Sequence, residues 1–385
     1  MKIKISLQLC GIISYALTQW LLMLYFAHIH DLNIAAKYIY YLAILTPLSI
    51  FFSYGLRNGV ASDKDNRYSF KNYLNISYMG GIIYLIVSII ILYLISDVNI
   101  YLFSFTILLK FSELISEPYY GNFLRNGLSE KYALSRIYKL ILGIVVFSFF
   151  YLIEFSFKIE FISLFGYLIS VYIVFFFFDK HKSYIKEPSL GDNRVVSLIS
   201  YNLPLALSAL IIALNGSIPK IVFGFESQSI GLAVFGFLIY MNSIAVLPIA
   251  ALIQIAYGKK EIKYSFNIIK YLTIYSLIYF LLFLCFAPFI LKHIFNVNYG
   301  YDFYSLILTG LLAIFQFYLT VNNFYLTYNR KFRYILFLSL SALILNIFLC
   351  FIFVDFGLNG ILLSVLISTL IACFLGNYLR VKDFK

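Results

Sequence analysis

Positive charge in this chain is sorted by gap. Polar breaks cut the sequence into about twelve apolar stretches, and every second gap is loaded with Lys and Arg. The loaded gaps carry Lys2 and Lys4; Arg57 to Lys71; Arg125 to Lys139; Lys180 to Arg194; Lys259 to Lys270; Arg330 to Arg333; and Arg380 to Lys385. The intervening gaps hold Lys37, Lys158, Lys220 and Lys292, and Lys110 stands alone inside an apolar stretch. Cytoplasmic loops of helical membrane proteins collect Lys and Arg. The alternation therefore predicts an even number of spans with both termini in the cytoplasm.

Composition agrees. At 62% apolar and 12% charged, the chain has too little charge to cover a soluble surface. The net charge of +12 sits at the ends of apolar stretches rather than on one face, which argues against a nucleic-acid partner. A helix needs about 20 apolar residues to cross the hydrocarbon core, and only helices satisfy their backbone there as open segments. The expected spans are 5–27, 34–56, 73–95, 100–124, 134–154, 159–178, 197–218, 230–257, 268–291, 302–328, 334–354 and 358–379. The first is read as a retained helix, because no small-residue cleavage site follows it. The long polar stretch from Asp179 to Arg194, with Pro188 and Gly191, falls between the sixth and seventh spans. The expected organisation is a six-helix bundle over 1–178, a cytoplasmic linker over 179–196 and a second six-helix bundle over 197–385. Paired bundles of this kind suit a transporter with its substrate between the halves.

Several chemistries find no support. The longest outer gap, around Lys292 to Tyr301, is too short for the large external catalytic loop of a membrane glycosyltransferase, polymerase or ligase. No phosphate-binding glycine loop is present, and no His/Cys cluster has metal spacing. Cys10, Cys285, Cys350 and Cys373 lie far apart in apolar stretches and read as inert thiols. His28 and His30, at a span end, read as interfacial residues. No catalytic residue, metal or bound cofactor is expected.

Ionisable groups inside a span are costly and therefore candidates for function. The fourth span has the densest set: Lys110, Glu113 and Glu117 are spaced i, i+3, i+7 and share one helix face. Ser112, Ser116 and Tyr120 lie beside them. Lys110 sits about 15 Å into the span, where a lone Lys costs about 2.5–3.5 kcal/mol. Two readings fit: a Lys110–Glu113 pair that holds the bundle together, or a polar stripe facing a water-filled cavity. Gln19, Asn242 and Gln316, with Asn322 and Asn323, are further polar groups at depth, suited to helix ties or to a cavity wall. Arg57 and Lys259 lie at inner helix ends, where they can set topology or meet a phosphate.

Three segments resemble the polysaccharide and O-antigen flippases of the multidrug/oligosaccharidyl-lipid/polysaccharide (MOP) superfamily. The first is Lys110-Phe-Ser-Glu113-Leu-Ile-Ser-Glu117-Pro-Tyr-Tyr120-Gly121 through Ser135, similar to a Lys-x-x-Glu-Ser-x-Ser-Asp run followed by Tyr-Gly. The second runs from Asn202-Leu-Pro204 through Asn215-Gly216-Ser-Ile-Pro219-Lys220 to Ser229-Ile-Gly231, with Lys220 where relatives carry Arg. The third is Tyr299-Gly300-Tyr301 with Phe356-Gly357-Leu358-Asn359-Gly360. Departures are Leu114 for Ser, Glu117 for Asp and Lys220 for Arg.

The resemblance implies an all-α polytopic protein with about twelve transmembrane helices in two MOP/MATE-like bundles, residing in the bacterial cytoplasmic (inner) membrane. It implies flipping of undecaprenyl-diphosphate-linked oligosaccharide units for O-antigen, capsule or exopolysaccharide synthesis. It also implies coupling to a proton or sodium gradient, and work beside a polysaccharide polymerase and chain-length regulator. Lys110, Glu113, Glu117, Gln19, Asn242, Gln316, Arg57 and Lys220 are then the candidate substrate and cavity residues. The alternatives are a MATE-like drug or metabolite exporter and a membrane polymerase or ligase.

Overall fold

A computed structural model describes residues 2–63, 67–95, 98–158, 160–181, 195–225, 229–257, 266–298, 300–328 and 331–383. Lys259 and most of the expected linker, 182–194, lie outside these residues. The described residues are almost entirely helical. In chain order the helices are α1 (Lys2–Tyr25), α2 (Leu32–Phe52), α3 (Leu56–Ser62), α4 (Phe70–Leu94), α5 (Ile100–Arg125), α6 (Ser129–Phe157) and α7 (Ile162–Val174). They continue as α8 (Val195–Phe225), α9 (Ser229–Tyr257), α10 (Phe266–Phe289), α11 (Phe303–Tyr328), α12 (Phe332–Phe353) and α13 (Gly357–Asp383). Wider π-helical turns extend α1, α7 and α10 over Phe26–His30, Phe175–Lys180 and Ile290–Ile294.

Local chemistry sets the ends. Asp31 accepts a hydrogen bond from the Ile34 amide (2.8 Å), Asn99 from Leu102 (3.1 Å) and Asp302 from Ser305 (2.7 Å). Each satisfies an amide that the first turn of a helix leaves without a partner. Among the described residues ten segments are long and apolar enough to cross a membrane, the last of them, Arg333–Leu379, spanning both α12 and α13. α5 is not among the ten: Lys110, Glu113 and Glu117 crowd its middle. On α4 the side chains of Ile82, Ile86, Ile89, Ile90 and Tyr93 are exposed. Helical spacing puts them on one stripe, an apolar face that suits hydrocarbon and not water.

The chain forms two compact units: Met1–Thr18 with Ile44–Leu210, and Gln19–Ala43 with Ile211–Lys385. These boundaries differ from those the charge pattern predicts. Residues 19–43 pack in the second unit, and 195–210 in the first. The reason is steric fit. A Cβ on Gly236 would come within 2.3 Å of Ile39, and one on Gly224 within 2.6 Å of Tyr40. Trp20 meets Phe295 edge-on at 5.7 Å, and the His28 ring reaches the Ile294 carbonyl. In the first unit Leu56, Val60, Tyr68, Tyr73, Ile76 and Leu198 form a buried cluster. In the second, Ala245, Ile249, Leu272, Ala313, Phe317 and Val321 do.

A charged network on α3, α5 and α6

Three local devices bring charged side chains together in the first unit. The first ends α2. Tyr54 and Gly55 both take positive φ (50° and 61°), a pair of left-handed residues that an α-helix cannot continue through. The chain restarts at once as α3, with Arg57 in its first turn. The second device is Gly121. A Cβ there would lie 2.7 Å from the Arg57 carbonyl oxygen and from Val60 Cβ, so only glycine lets the α3 backbone come this close to α5. Arg57 is thereby delivered to Glu117: its Nε donates to Glu117 Oε2 (2.8 Å) and its Nη1 to Tyr132 Oη (2.9 Å).

The third device is the turn after α5. The Gly127 amide donates to the Leu124 carbonyl (3.1 Å) and the Leu128 amide to Phe123 (2.8 Å), with Gly127 at φ 68°. This is a Schellman closure. It lets α6 begin at Ser129, ahead of the expected start at 134, and Tyr132, which precedes that expected start, joins Arg136 and Lys139 on the same helix, with Lys139 reaching α5. Lys139 is as far from the start of its helix as Lys110 is from the start of α5. Lys110 is therefore not alone in depth, which corrects the expectation that it is.

Lys110 is buried and donates to Glu113 Oε2 (2.8 Å), whose Oε1 accepts from Tyr15 Oη (3.1 Å). The ion pair of the structural reading thus exists, with the Lys110 side chain 5% and the Glu113 side chain 29% exposed. Lys139 donates to Tyr120 Oη (2.6 Å) and Ser116 Oγ (3.3 Å), and its ammonium lies 2.9 Å from Asp179 Oδ2. Tyr120 Oη is also 3.1 Å from Ser135 Oγ. Asp179, expected as the first linker residue, sits instead in the π-helical turn after α7 and is fully buried. The wider turn carries it inward against α6. Arg136 lies over two aromatic faces, 4.8 Å from the Tyr15 centroid and 4.4 Å from that of Tyr132. Four cations and three carboxylates thus meet along α3, α5, α6 and the end of α7.

The other candidates belong to the second unit. Asn242 Nδ2 donates to the Thr309 carbonyl (2.9 Å) and its Oδ1 accepts from Tyr279 (2.9 Å). That arrangement ties α9 to α10 and α11. Gln19 Oε1 accepts from Tyr240 (3.3 Å), and Asn322 donates to Asn377 (3.2 Å). Gln316 and Lys220 are half-buried on α11 and α8. Arg136, Lys139, Asp179, Tyr15 and Tyr132 are the members that sequence reasoning did not single out. A usable signal existed for two of them: Arg136 and Lys139 fall at i+4 and i+7 from Tyr132, a single helical face.

No family profile and no curated protein matches the chain. Solved structures do. A structure of the MATE multidrug transporter DinF-BH superposes with a TM-score of 0.69 at 16% identity, covering 99% of this chain and 95% of that one. The fold is that of the MATE transporters. A multidrug resistance MATE family transporter of the MOP superfamily matches in its outward-facing conformation (TM-score 0.68, 16% identity, 99% and 95% covered). An inward-facing conformation of a multidrug resistance MATE family transporter of the MOP superfamily matches as well (0.66, 16%, 100% and 95%). The MATE-like fold accounts for nearly the whole chain, and at this identity the likeness concerns fold alone.

Proposed function

We propose that the chain is a multi-pass transporter of the bacterial cytoplasmic membrane that flips undecaprenyl-diphosphate-linked oligosaccharide units by alternating access. The observation that carries this reading is the cationic excess of the network. Arg57, Lys110, Arg136 and Lys139 stand against Glu113, Glu117 and Asp179. A sugar head cannot enter hydrocarbon without losing the hydrogen bonds of its hydroxyls, and a diphosphate needs cationic donors on its way. A network with one positive charge in excess, in which Arg57, Arg136, Glu113 and Glu117 are partly exposed, supplies them, and the lipid tail stays in the bilayer. The resemblance of Lys110 to Gly121 and of Asn215 to Lys220 to flippase segments supports the same substrate. The carboxylates are the natural place for a coupled proton or sodium ion. Product handover to a polymerase and chain-length regulator belongs to the same reading.

A second reading, a MATE-like exporter of cationic drugs or metabolites, is favoured by the fold and by the partly exposed Glu113 and Glu117 (29% and 18%), which suit a cationic ligand. Deletion of the gene separates the two. Repeat units stalled on the carrier lipid at the cytoplasmic face are expected for a flippase. Normal surface polysaccharide with accumulation of a cationic dye would establish the exporter. Within the flippase reading, Lys110→Ala at unchanged protein level is expected to reduce surface polysaccharide, and Lys110→Arg to retain more of it. Loss of both variants from the membrane would make the pair purely structural.

A further inference from the structure

The charges of the first unit do not balance, and the imbalance falls on one residue. Arg57, Lys110 and Lys139 each have a carboxylate oxygen at 2.8 to 2.9 Å. Arg136 has none: among the described residues its contacts are the rings of Tyr15 and Tyr132. It is half-buried, within a network whose carboxylates are all engaged by other cations. An unpaired guanidinium at this position is costly to hold, and two aromatic faces offset only part of the cost. Neither aromatic contact takes an N–H of the guanidinium in a hydrogen bond, and a planar fork of N–H donors is the geometry that binds two oxygens of a phosphate at once.

The two rings are themselves fixed. Tyr15 donates to Glu113 and Tyr132 accepts from Arg57, so each ion pair orients one of the rings. Arg136 is the eighth residue of α6, about 11 Å from its first residue along the axis. On the topology that the charge pattern predicts, with both termini cytoplasmic, this is close to the level where inner-leaflet phosphates give way to acyl chains.

We propose that Arg136, held against the rings of Tyr15 and Tyr132, is the first protein group to take the phosphate of a lipid headgroup entering from the inner leaflet. The ligand chemistry is a lipid phosphate or diphosphate. The inference deepens the flippase reading and rests on it for the identity of the lipid, though not for the chemistry of the site. It separates roles: Lys110 is spent on Glu113, and Arg136 is the cation still free to bind. It also makes Tyr15 and Tyr132 positioning residues, which act through the guanidinium.

The test uses purified full-length protein in nanodiscs of neutral lipid, titrated with undecaprenyl diphosphate or with phosphatidylglycerol. Arg136→Gln is expected to weaken binding of at least one of them by about tenfold, the loss of one charge-assisted fork. Arg136→Lys should fall between, because an ammonium keeps the charge and loses the fork. Arg333→Gln, at an exposed helix start outside the network, should bind as the parent protein does. A second readout needs no variant: modification of Arg136 by phenylglyoxal, followed by peptide mass spectrometry, should be suppressed by the lipid that binds. Loss confined to undecaprenyl diphosphate supports both the site and the flippase reading. Loss confined to phosphatidylglycerol supports the site and removes the support it gives to flipping. Unchanged affinity for both lipids, or Arg136 modified equally with and without them, overturns the site while leaving the gene-deletion result to decide the flippase reading.

Discussion

The two units bury polarity in different ways. In the first, buried polar groups include Lys110, Glu154 and Asp179, and charges are linked across helices by pairs and tyrosines. In the second, the buried polar side chains among the described residues are uncharged: Gln19, Asn242, Asn322, Asn346 and a set of Ser and Thr. Amides and hydroxyls that satisfy one another tie helices together at modest net value. Buried ions are a poor way to stabilise a bundle, because desolvation takes back most of what the pair gains. Lys110, Lys139 and Asp179 are the ions to which this cost applies, their side chains being 5%, 13% and 0% exposed, and the proposed binding role gives a reason to keep them.

The largest expected effect tests that asymmetry directly. Asp179→Ala leaves the Lys139 ammonium, whose side chain is 13% exposed, without its carboxylate. Breaking one side of a buried pair costs about 3–5 kcal/mol, so thermal unfolding of the purified variant should fall steeply or the protein should not accumulate. Replacing both residues, Lys139→Leu with Asp179→Leu, should restore most of the stability while transport stays lost. If the double variant transports normally, the pair is scaffolding and the contrast between units loses its functional meaning.

A smaller effect is expected from Gly121→Ala. The added methyl would lie 2.7 Å from the Arg57 carbonyl oxygen, and forcing α3 off α5 is an overpacking cost of about 1–3 kcal/mol. Its diagnostic consequence is local: Arg57 should withdraw from Glu117 and Tyr132. Gly216→Ala, with open space around the site, should leave stability nearly unchanged. Equal effects at the two glycines would break the claim that helix approach in the first unit is set for the sake of its charges.

The sequence made some of this visible for identifiable reasons. The long helices follow from hydropathy, because the length needed to span hydrocarbon is fixed. The stripe Lys110, Glu113, Glu117 follows from helical period alone, and it does face the other charges. What lay beyond reach depended on the ends of elements. Arg136 and Lys139 look like topology determinants at the start of a span until their contacts with Tyr15, Tyr120, Tyr132 and Asp179 are seen. Asp179 looks like a linker residue until a π-helical turn carries it inward. The membership of residues 19–43 in the second unit rests on glycine-to-side-chain fit, at Gly224 and Gly236, between segments about 200 positions apart in the chain; nothing in local periodicity reports that.

In the second unit, Asn242→Leu removes both bonds of an amide that is shared by α10 and α11. The Thr309 carbonyl keeps its helical amide partner within α11, but leaving the Tyr279 hydroxyl without its acceptor costs about 1–3 kcal/mol, less than the unpaired ion at Lys139. The comparison between units predicts that this variant loses stability without a change in ligand affinity, measured as Tm and Kd on the same preparation. A lower affinity at unchanged Tm would move Asn242 from helix tie to binding wall and give the second unit a share of the site.

The smallest effect belongs to a carboxylate outside the spans. Asp302 accepts from the Ser305 amide (2.7 Å) and from Asn359 Nδ2 (2.9 Å). Burial alone would raise its pKa, but these hydrogen bonds outweigh that and hold the carboxyl below its ordinary value. A carboxylate with a lowered folded-state pKa contributes stability that is fully present above its unfolded pKa, about 3.9, and is lost as pH falls through the lower folded value. Between neutral pH and about 4 the contribution is therefore constant. Tm profiles of the parent protein and Asp302→Asn should run parallel over that range and converge only below it. Asn359→Ala removes one of the two donors and brings the folded pKa closer to the unfolded one, so its convergence should be smaller and complete at a higher pH than the parent's. Because this cap shares no residue with the charged network of the first unit, neither variant should alter the affinity for undecaprenyl diphosphate. A change there would show that the two units do not divide the work by charge.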